Sequence, residues 1–119
     1  MKILIVDDNL SLANILKMML EEERHEVRLA QDGTDGYTAY LLFLPDLVIT
    51  DIQMPEKNGL ELMELIRNYN PDARAIYISA DLDQFWPFLE KEMTRHPVNC
   101  LQKPFSKDEL MRLLVQVSN

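Results

Sequence analysis

Residues 1–10 read MKILIVDDNL. Ile3 to Val6 form an unbroken apolar run that stops at Asp7-Asp8. A short continuous run of this kind, with no polar alternation, is the pattern of a strand covered on both faces, as in a parallel sheet. The two adjacent carboxylates at its end are costly to hold together. Like charges ~4 Å apart repel by about 1 kcal/mol in water and about 4 kcal/mol at an effective dielectric near 20. Something in the fold must therefore make use of the pair.

The same grammar repeats outward from this stretch. Residues 10–22 place Leu12, Ile15, Leu16, Met19 and Leu20 at helical spacing and end in the charged run EEERH. EVRLA (26–30) is a short, less apolar strand suited to a sheet edge, and residues 33–43 form a helix opened near Asp32-Gly33 and stopped before Pro45. DLVITD (46–51) is a second buried strand ending in a carboxylate, followed by the turn QMPEKNG (53–59). Leu60, Met63 and Ile66 line one face of the next helix, which ends at NYNPD. ARAIYIS (73–79) is the fourth strand, 82–96 is less regular, and VNCLQ (98–102) is the fifth strand. SKDEL opens the last helix, with Ser106 and Glu109 spaced as a capping box.

Five β-α units in strict alternation predict an α/β fold, a parallel sheet with helices on both faces and right-handed crossovers. Nothing in the 119 residues marks a linker, repeat or boundary, so residues 1–119 are read as one domain. A net charge of −8 argues against nucleic-acid binding by this chain. The one cysteine, Cys100, excludes an internal disulfide, and no zinc-binding spacing occurs. No apolar run approaches the ~20 residues of a membrane span, and the N-terminus is too short for a secretory signal, so a soluble cytoplasmic protein is expected.

Ligands of open α/β sheets bind at the carboxyl ends of the strands, near the switch in strand order. In the order 2-1-3-4-5, one rim collects Asp7-Asp8 from the first strand, Asp51 from the third, Ser79 from the fourth and Lys103 just after the fifth. Singly, each has a structural reading: a turn-forming or capping Asp, a structural Ser, a solvated Lys. Together they leave three carboxylates against one ammonium. A hard divalent cation held by carboxylates, carbonyls and waters fits that deficit, and Mg²⁺ is the usual choice. Beside such a metal, Asp51 is placed to act as a nucleophile toward a phosphoryl group, with Lys103 and Ser79 steadying the transferred charge.

VDDN at the first strand end, DLVITDIQMPEKNGLEL around Asp51, YISA at Ser79 and LQKPF at Lys103 resemble, as a set and over the whole chain, the receiver domain of two-component response regulators, single-domain chemotaxis-regulator type. The resemblance implies a flavodoxin-like doubly wound (βα)5 fold. It implies that Asp51 accepts a phosphoryl group from a histidine kinase or a histidine phosphotransfer protein. Asp8 would ligate Mg²⁺ directly, Asp7 mostly through water, and Gln53 through its backbone carbonyl. Lys103 would pair with the phosphoryl group, and Ser79 would bond to it and shift the loop after the fourth strand. A cis Lys103-Pro104 bond fits the family, and Gly59 is expected to take a positive φ in the turn. Gln53 and Asp81, two residues beyond Asp51 and Ser79, would flank the water that hydrolyses the acyl phosphate.

The chain departs from the family in two places. The aromatic usually found three residues before the lysine is replaced by Cys100, so a swinging ring cannot report phosphorylation there. A redox role for Cys100 competes with an inert place in the core. The segment between Ser79 and Lys103 is longer than expected, and Pro87 predicts a fourth helix starting near that residue, with Asp81 to Trp86 irregular. Phe85, Trp86 and Phe88 cluster there; at least one is expected to be exposed as a contact for a downstream protein.

The leading reading is a phosphorylation-controlled signalling domain, not a turnover enzyme, that changes partners through its fourth-helix, fifth-strand, fifth-helix face. It would be a single-domain regulator, a relay intermediate or an excised module, and the same face is open to dimerisation. The alternative is a pseudo-receiver scaffold not regulated by phosphorylation: the intact acidic set counts against it, Cys100 for it. An aspartyl phosphatase is disfavoured by Gln53, where an acid-base Asp would stand. A P-loop nucleotide binder is excluded, since the chain has three glycines and no Gly-rich Lys-Ser/Thr loop.

Overall fold

The computed structural model describes residues 1–118. Five strands, β1 (Lys2–Val6), β2 (Glu26–Ala30), β3 (Leu47–Asp51), β4 (Ala75–Ser79) and β5 (Val98–Gln102), alternate with five helices, α1 (Leu10–Glu22), α2 (Gly33–Phe43), α3 (Gly59–Tyr69), α4 (Leu82–Met93) and α5 (Lys107–Ser118). The strands pair in parallel in the order β2-β1-β3-β4-β5, the flavodoxin-like arrangement. β2 is an edge, as its weaker apolar pattern suggested.

Strand alternation splits the interior into two cores. Ile3, Ile5, Leu47, Ile49, Ile76 and Ile78 face α1 and α5, where Ala13, Leu16, Leu20, Leu110 and Leu114 close over them. Leu4, Val6, Val48, Ala75 and Tyr77 face the other way, toward Tyr40, Phe43, Leu62, Met63, Ile66 and Leu89 of α2, α3 and α4. Each fully buried Leu, Ile or Val side chain contributes about 1.5–3 kcal/mol relative to exposure, so the two cores hold all β1–β3–β4 carboxyl ends in fixed register.

Local signals set the helix starts. Asp32 caps α2 through Asp35 N–H, Asn58 and Glu61 form a capping box on α3, and Ser106 and Glu109 form the expected one on α5. α2 ends at Leu44 in the left-handed region (φ 49°), directly before Pro45.

Two expectations are corrected. α4 begins five residues earlier than Pro87 implied, at Leu82, with Pro87 inside it. The Asp81 side chain accepts the Gln84 N–H, and this cap starts the helix upstream of the proline. Gly59 has no positive φ; in that turn the left-handed residue is Glu56 (φ 69°). Gly59 is required for a different reason. A Cβ there would stand 2.3 Å from the Asp51 carbonyl oxygen, where α3 is pinned to the end of β3 by the bond from Gly59 N–H to Ile52 O.

Candidate functional site

The site forms where β1, β3 and β5 end together. The Asp7 N–H donates to Ala30 O (3.1 Å), so the β1–β2 ladder delivers this residue to the rim with its side chain buried. Asp7 Oδ1 accepts the Asn9 N–H at 2.9 Å, and Oδ2 lies 3.6 Å from Lys103 Nζ. Burial pushes the Asp7 carboxyl above the usual carboxylate range. The Asn9 N–H and the Lys103 ammonium oppose that rise, and the negative charges of Asp51 and Asp8 add to it.

Asp51 closes β3. Its Oδ2 accepts from Lys103 Nζ at 3.0 Å and its Oδ1 from the Gln53 N–H at 3.3 Å. Asp8 is exposed at the mouth. One carboxylate oxygen from each of Asp7, Asp8 and Asp51 lies within 4.8 Å of the others. Octahedral Mg²⁺, with oxygens at about 2.1 Å, places its ligands up to ~4.2 Å apart. The all-oxygen donor set and this spacing suit that ion with little movement. Lys103 alone balances only one of the three carboxylates.

Lys103 is held from behind by its N–H, which donates to Ser79 O at 2.8 Å, and the Lys103-Pro104 peptide is cis. Ser79 is fully buried, and its Oγ accepts the Asp81 N–H at 3.0 Å, leaving the hydroxyl proton to donate. Asp81 is exposed and is the α4 cap. The structure thus gathers Asp7, Asp8, Asp51 and Lys103 at one point, with Ser79 at the end of β4 and Gln53 and Asp81 on the loops after β3 and β4. Cys100 is not among them. It lies mid-strand, paired in register with Tyr77, and burial beside Glu92 pushes its thiol up to about 11.

The chemistry available is that of an oxygen-rich pocket suited to a cation, around the Asp51 carboxylate, with one fixed ammonium and one buried hydroxyl at its side. The receiver profile, "Response regulator receiver domain", matches residues 3–115. The chain belongs to the response regulator receiver family. Receivers are signalling domains of two-component systems that bind Mg²⁺ at an acidic pocket and interact with histidine kinases or phosphotransfer proteins and with downstream effectors.

Several relatives fill in this picture. The receiver is 32% identical to the transcriptional regulatory protein DltR of Streptococcus agalactiae, over 93% of this chain and 49% of DltR. It is 28% identical to the chemotaxis protein CheY of Halobacterium salinarum, over 98% of this chain and 95% of that one. Among solved structures, the response regulator TrrA of Thermotoga maritima, in complex with Mg²⁺ and BeF, superposes with a TM-score of 0.84 at 31% identity, covering 98% and 97% of the two chains. The chain spans about half the length of DltR, or less of other transcriptional regulators it matches. No helix among the described residues is long and apolar enough to cross a membrane.

Sequence reasoning missed Asn9, whose N–H steadies Asp7 and whose side chain caps α1 by accepting the Leu12 N–H. An Asn at a strand-to-helix junction was a readable cap signal. It also missed the buried set Arg67, Tyr77 and Glu92, in which Tyr77 Oη donates to Glu92 Oε1 at 2.9 Å and Arg67 pairs with the same oxygen. These residues come from α3, β4 and α4 and share no periodic pattern. Of the aromatic cluster, Phe85 packs on the core, whereas Trp86 (43%) and Phe88 (62%) are exposed.

Proposed function

We propose that residues 1–119 act as one phosphoacceptor unit, taking a phosphoryl group on Asp51 from a phosphohistidine donor and passing the change to a protein partner. The observation that carries this reading is Lys103 Nζ held 3.0 Å from Asp51 and 3.6 Å from Asp7 at the mouth of a three-carboxylate cluster. An Asp51 oxygen attacks phosphorus, the donor's P–N bond breaks, and the imidazole leaves with the electron pair. Asp7, Asp8, Asp51 and the Gln53 carbonyl would hold Mg²⁺. That ion, when bound, supplies the positive charge that neutralises the phosphoryl oxygens. Lys103 pairs with the transferred group, and the Ser79 hydroxyl donates to it. Gln53 and Asp81 flank the approach of the water that later hydrolyses the acyl phosphate, so they set its lifetime. The same residues make the chain its own catalyst of both steps.

An apolar groove between α1 and the segment after β5, lined by Leu12, Ile15, Met19, Pro104 and Phe105, opens beside Lys103. It is the surface on which a helical donor from a histidine kinase or phosphotransfer protein would seat its own apolar face. Trp86 and Phe88 mark the output side, on the helix that starts from the Ser79 loop. The family's usual setting makes this a cytoplasmic role.

Intact mass after incubation with Mg²⁺ and acetyl phosphate, beside Asp51→Ala, tests the proposal. The expected result is one added phosphoryl group that the control lacks. No addition with small donors and with a phosphohistidine protein would overturn it, and the pseudo-receiver reading, which Cys100 favours, would replace it.

A further inference from the structure

α4 is anchored differently from its neighbours. α1 buries Ala13, Leu16 and Leu20, and α3 buries five residues, whereas α4 fully buries Leu89 alone. Leu82 and Phe85 are partly buried against the same core, and polar bonds add to these contacts in two groups on either side of Pro87.

Before Pro87, the bonds lead to the acceptor site. Asp81 N–H donates to Ser79 Oγ (3.0 Å), Gln84 N–H to Asp81 Oδ1 (3.3 Å), and Leu82 N–H to Gln102 Oε1 (3.2 Å). Gln102 in turn donates from Nε2 to Ala80 O (2.7 Å). After Pro87, the bonds lead to the body of the domain. Glu92 Oε1 takes both the Tyr77 hydroxyl of β4 and the Arg67 guanidinium of α3, and His96 Nδ1 lies 3.1 Å from Pro71 O. Arg67 Nε and Glu92 Oε2 are buried without a hydrogen-bond partner, so the contact is not fully satisfied. Between the groups, Pro87 has no N–H for the Asp83 carbonyl one turn back, and its ring crowds that carbonyl.

Resting on the receiver reading above, we propose that α4 is a two-part lever hinged at Pro87. Phosphorylation moves its first half, Leu82–Trp86, while the Tyr77–Glu92–Arg67 latch holds the second half in place. When Ser79 turns its hydroxyl to the phosphoryl group, its Oγ loosens from Asp81 N–H, and the first half loses its tie to the loop. The movement is absorbed at the missing bond. Trp86, the last residue before the hinge and the sole tryptophan, then changes its angle to Phe88, the first residue after it. Tyr77, paired with Cys100 across β4 and β5, keeps its ring in place because its hydroxyl is engaged by Glu92. The output is thus a bend within one helix instead of a swinging ring in β5.

Hydrogen exchange read by mass spectrometry, with Trp86 fluorescence, tests this on the whole chain as wild type, Pro87→Ala and Tyr77→Phe, with and without Mg²⁺ plus acetyl phosphate. Intact mass scores phosphorylation in each sample. In phosphorylated wild type, amides of 82–86 are expected to change exchange by about fivefold or more, the low end of ordinary coupling. Trp86 emission should shift, and 89–95 should stay within about twofold. Pro87→Ala should spread the change into 89–95, and Tyr77→Phe should raise exchange of 89–95 in both states. Equal change in both halves of the wild type, or a Pro87→Ala chain identical to it, overturns the lever. If no chain gains mass, the receiver reading has failed, and the unmodified chains decide the hinge by themselves. A step in protection at residue 87 that Pro87→Ala removes supports it, and uniform protection along α4 overturns it.

Discussion

The Tyr77–Glu92–Arg67 set makes a quantitative prediction about stability. The Arg67 side chain is 5% exposed and the Glu92 side chain 17%. Replacing Glu92 with Leu strands the guanidinium without its anion, a loss of about 3–5 kcal/mol for a buried pair broken on one side. It also leaves the Tyr77 hydroxyl without its acceptor, about 1–3 kcal/mol more. Partial exposure of Glu92 places the sum near the lower end, about 4 kcal/mol. A domain of ordinary stability, about 5–15 kcal/mol, survives that loss. With a urea slope of ~1.5 kcal/mol/M, the midpoint falls by roughly 2.7 M. The triple variant Arg67→Met, Glu92→Leu, Tyr77→Phe removes the stranded groups together. The wild-type pair already leaves Arg67 Nε and Glu92 Oε2 unpartnered, so the triple variant should return to within about 1 kcal/mol of wild type. Urea unfolding followed by circular dichroism reads all of these. A Glu92→Leu cost below ~1 kcal/mol, or a triple variant as weak as Glu92→Leu, would refute the reasoning.

Three further outcomes follow from the geometry. Burial raises the Asp7 carboxyl above its ordinary 3.8, so the folded chain binds this proton more tightly than the unfolded one and stability falls as pH rises through that interval. Asp7→Asn should therefore be more stable than wild type at pH 7 in EDTA, with the gain gone below pH ~3.5, and only wild type should gain stability from Mg²⁺; pH-independent melting differences would contradict this. Gly59→Ala drives a Cβ to 2.3 Å from the Asp51 carbonyl oxygen, so it should cost about 1–3 kcal/mol and slow acetyl-phosphate labelling of Asp51, whereas labelling at the wild-type rate would show that the close approach is not needed. The Cys100 thiol, pushed up to about 11 from 9.0, carries ~100-fold less thiolate at pH 8, and iodoacetamide should modify it correspondingly more slowly in the native chain than in urea; equal rates would place the thiol in an open site.

The sheet and the acidic rim were legible because each rests on a local rule. A continuous apolar run ending in Asp reads as a buried parallel strand with its carboxylate at the rim, and five such units leave little choice of topology. Asp7, Asp8, Asp51 and Lys103 converge by strand order alone. The misreadings came where two local rules compete. Pro87 argued for a late start to α4, but Asp81 supplies a cap six residues earlier, and the capped helix accommodates the proline at the loss of one ladder bond. At Gly59, the residue type signals either a positive φ or a close approach. Only the structure distinguishes them, through the Asp51 carbonyl at 2.3 Å. The Arg67–Tyr77–Glu92 set was illegible for another reason: its members lie on three elements and look, singly, like a surface Arg, a core Tyr and a surface Glu.

The chain's departures from the family pattern gather on one wall. Cys100 lies in β5 and Pro87 in α4, and neither is a member of the carboxylate cluster; the Tyr77–Glu92 contact and the exposed Trp86 and Phe88 lie on the same wall. The cluster depends on strand ends fixed by two dry cores, where a shift of one residue would send every side chain to the opposite face. α4 is less constrained: Leu89 is its one fully buried residue, Leu82 and Phe85 are only partly buried, and its position leans on a few polar bonds. Polar bonds of that kind can be exchanged by single substitutions without disturbing the sheet. The three-carboxylate cluster and the α4 wall thus rest on parts of the fold with very different tolerance. Cys100 in β5 and the latch between β4 and α4 lie on the tolerant side.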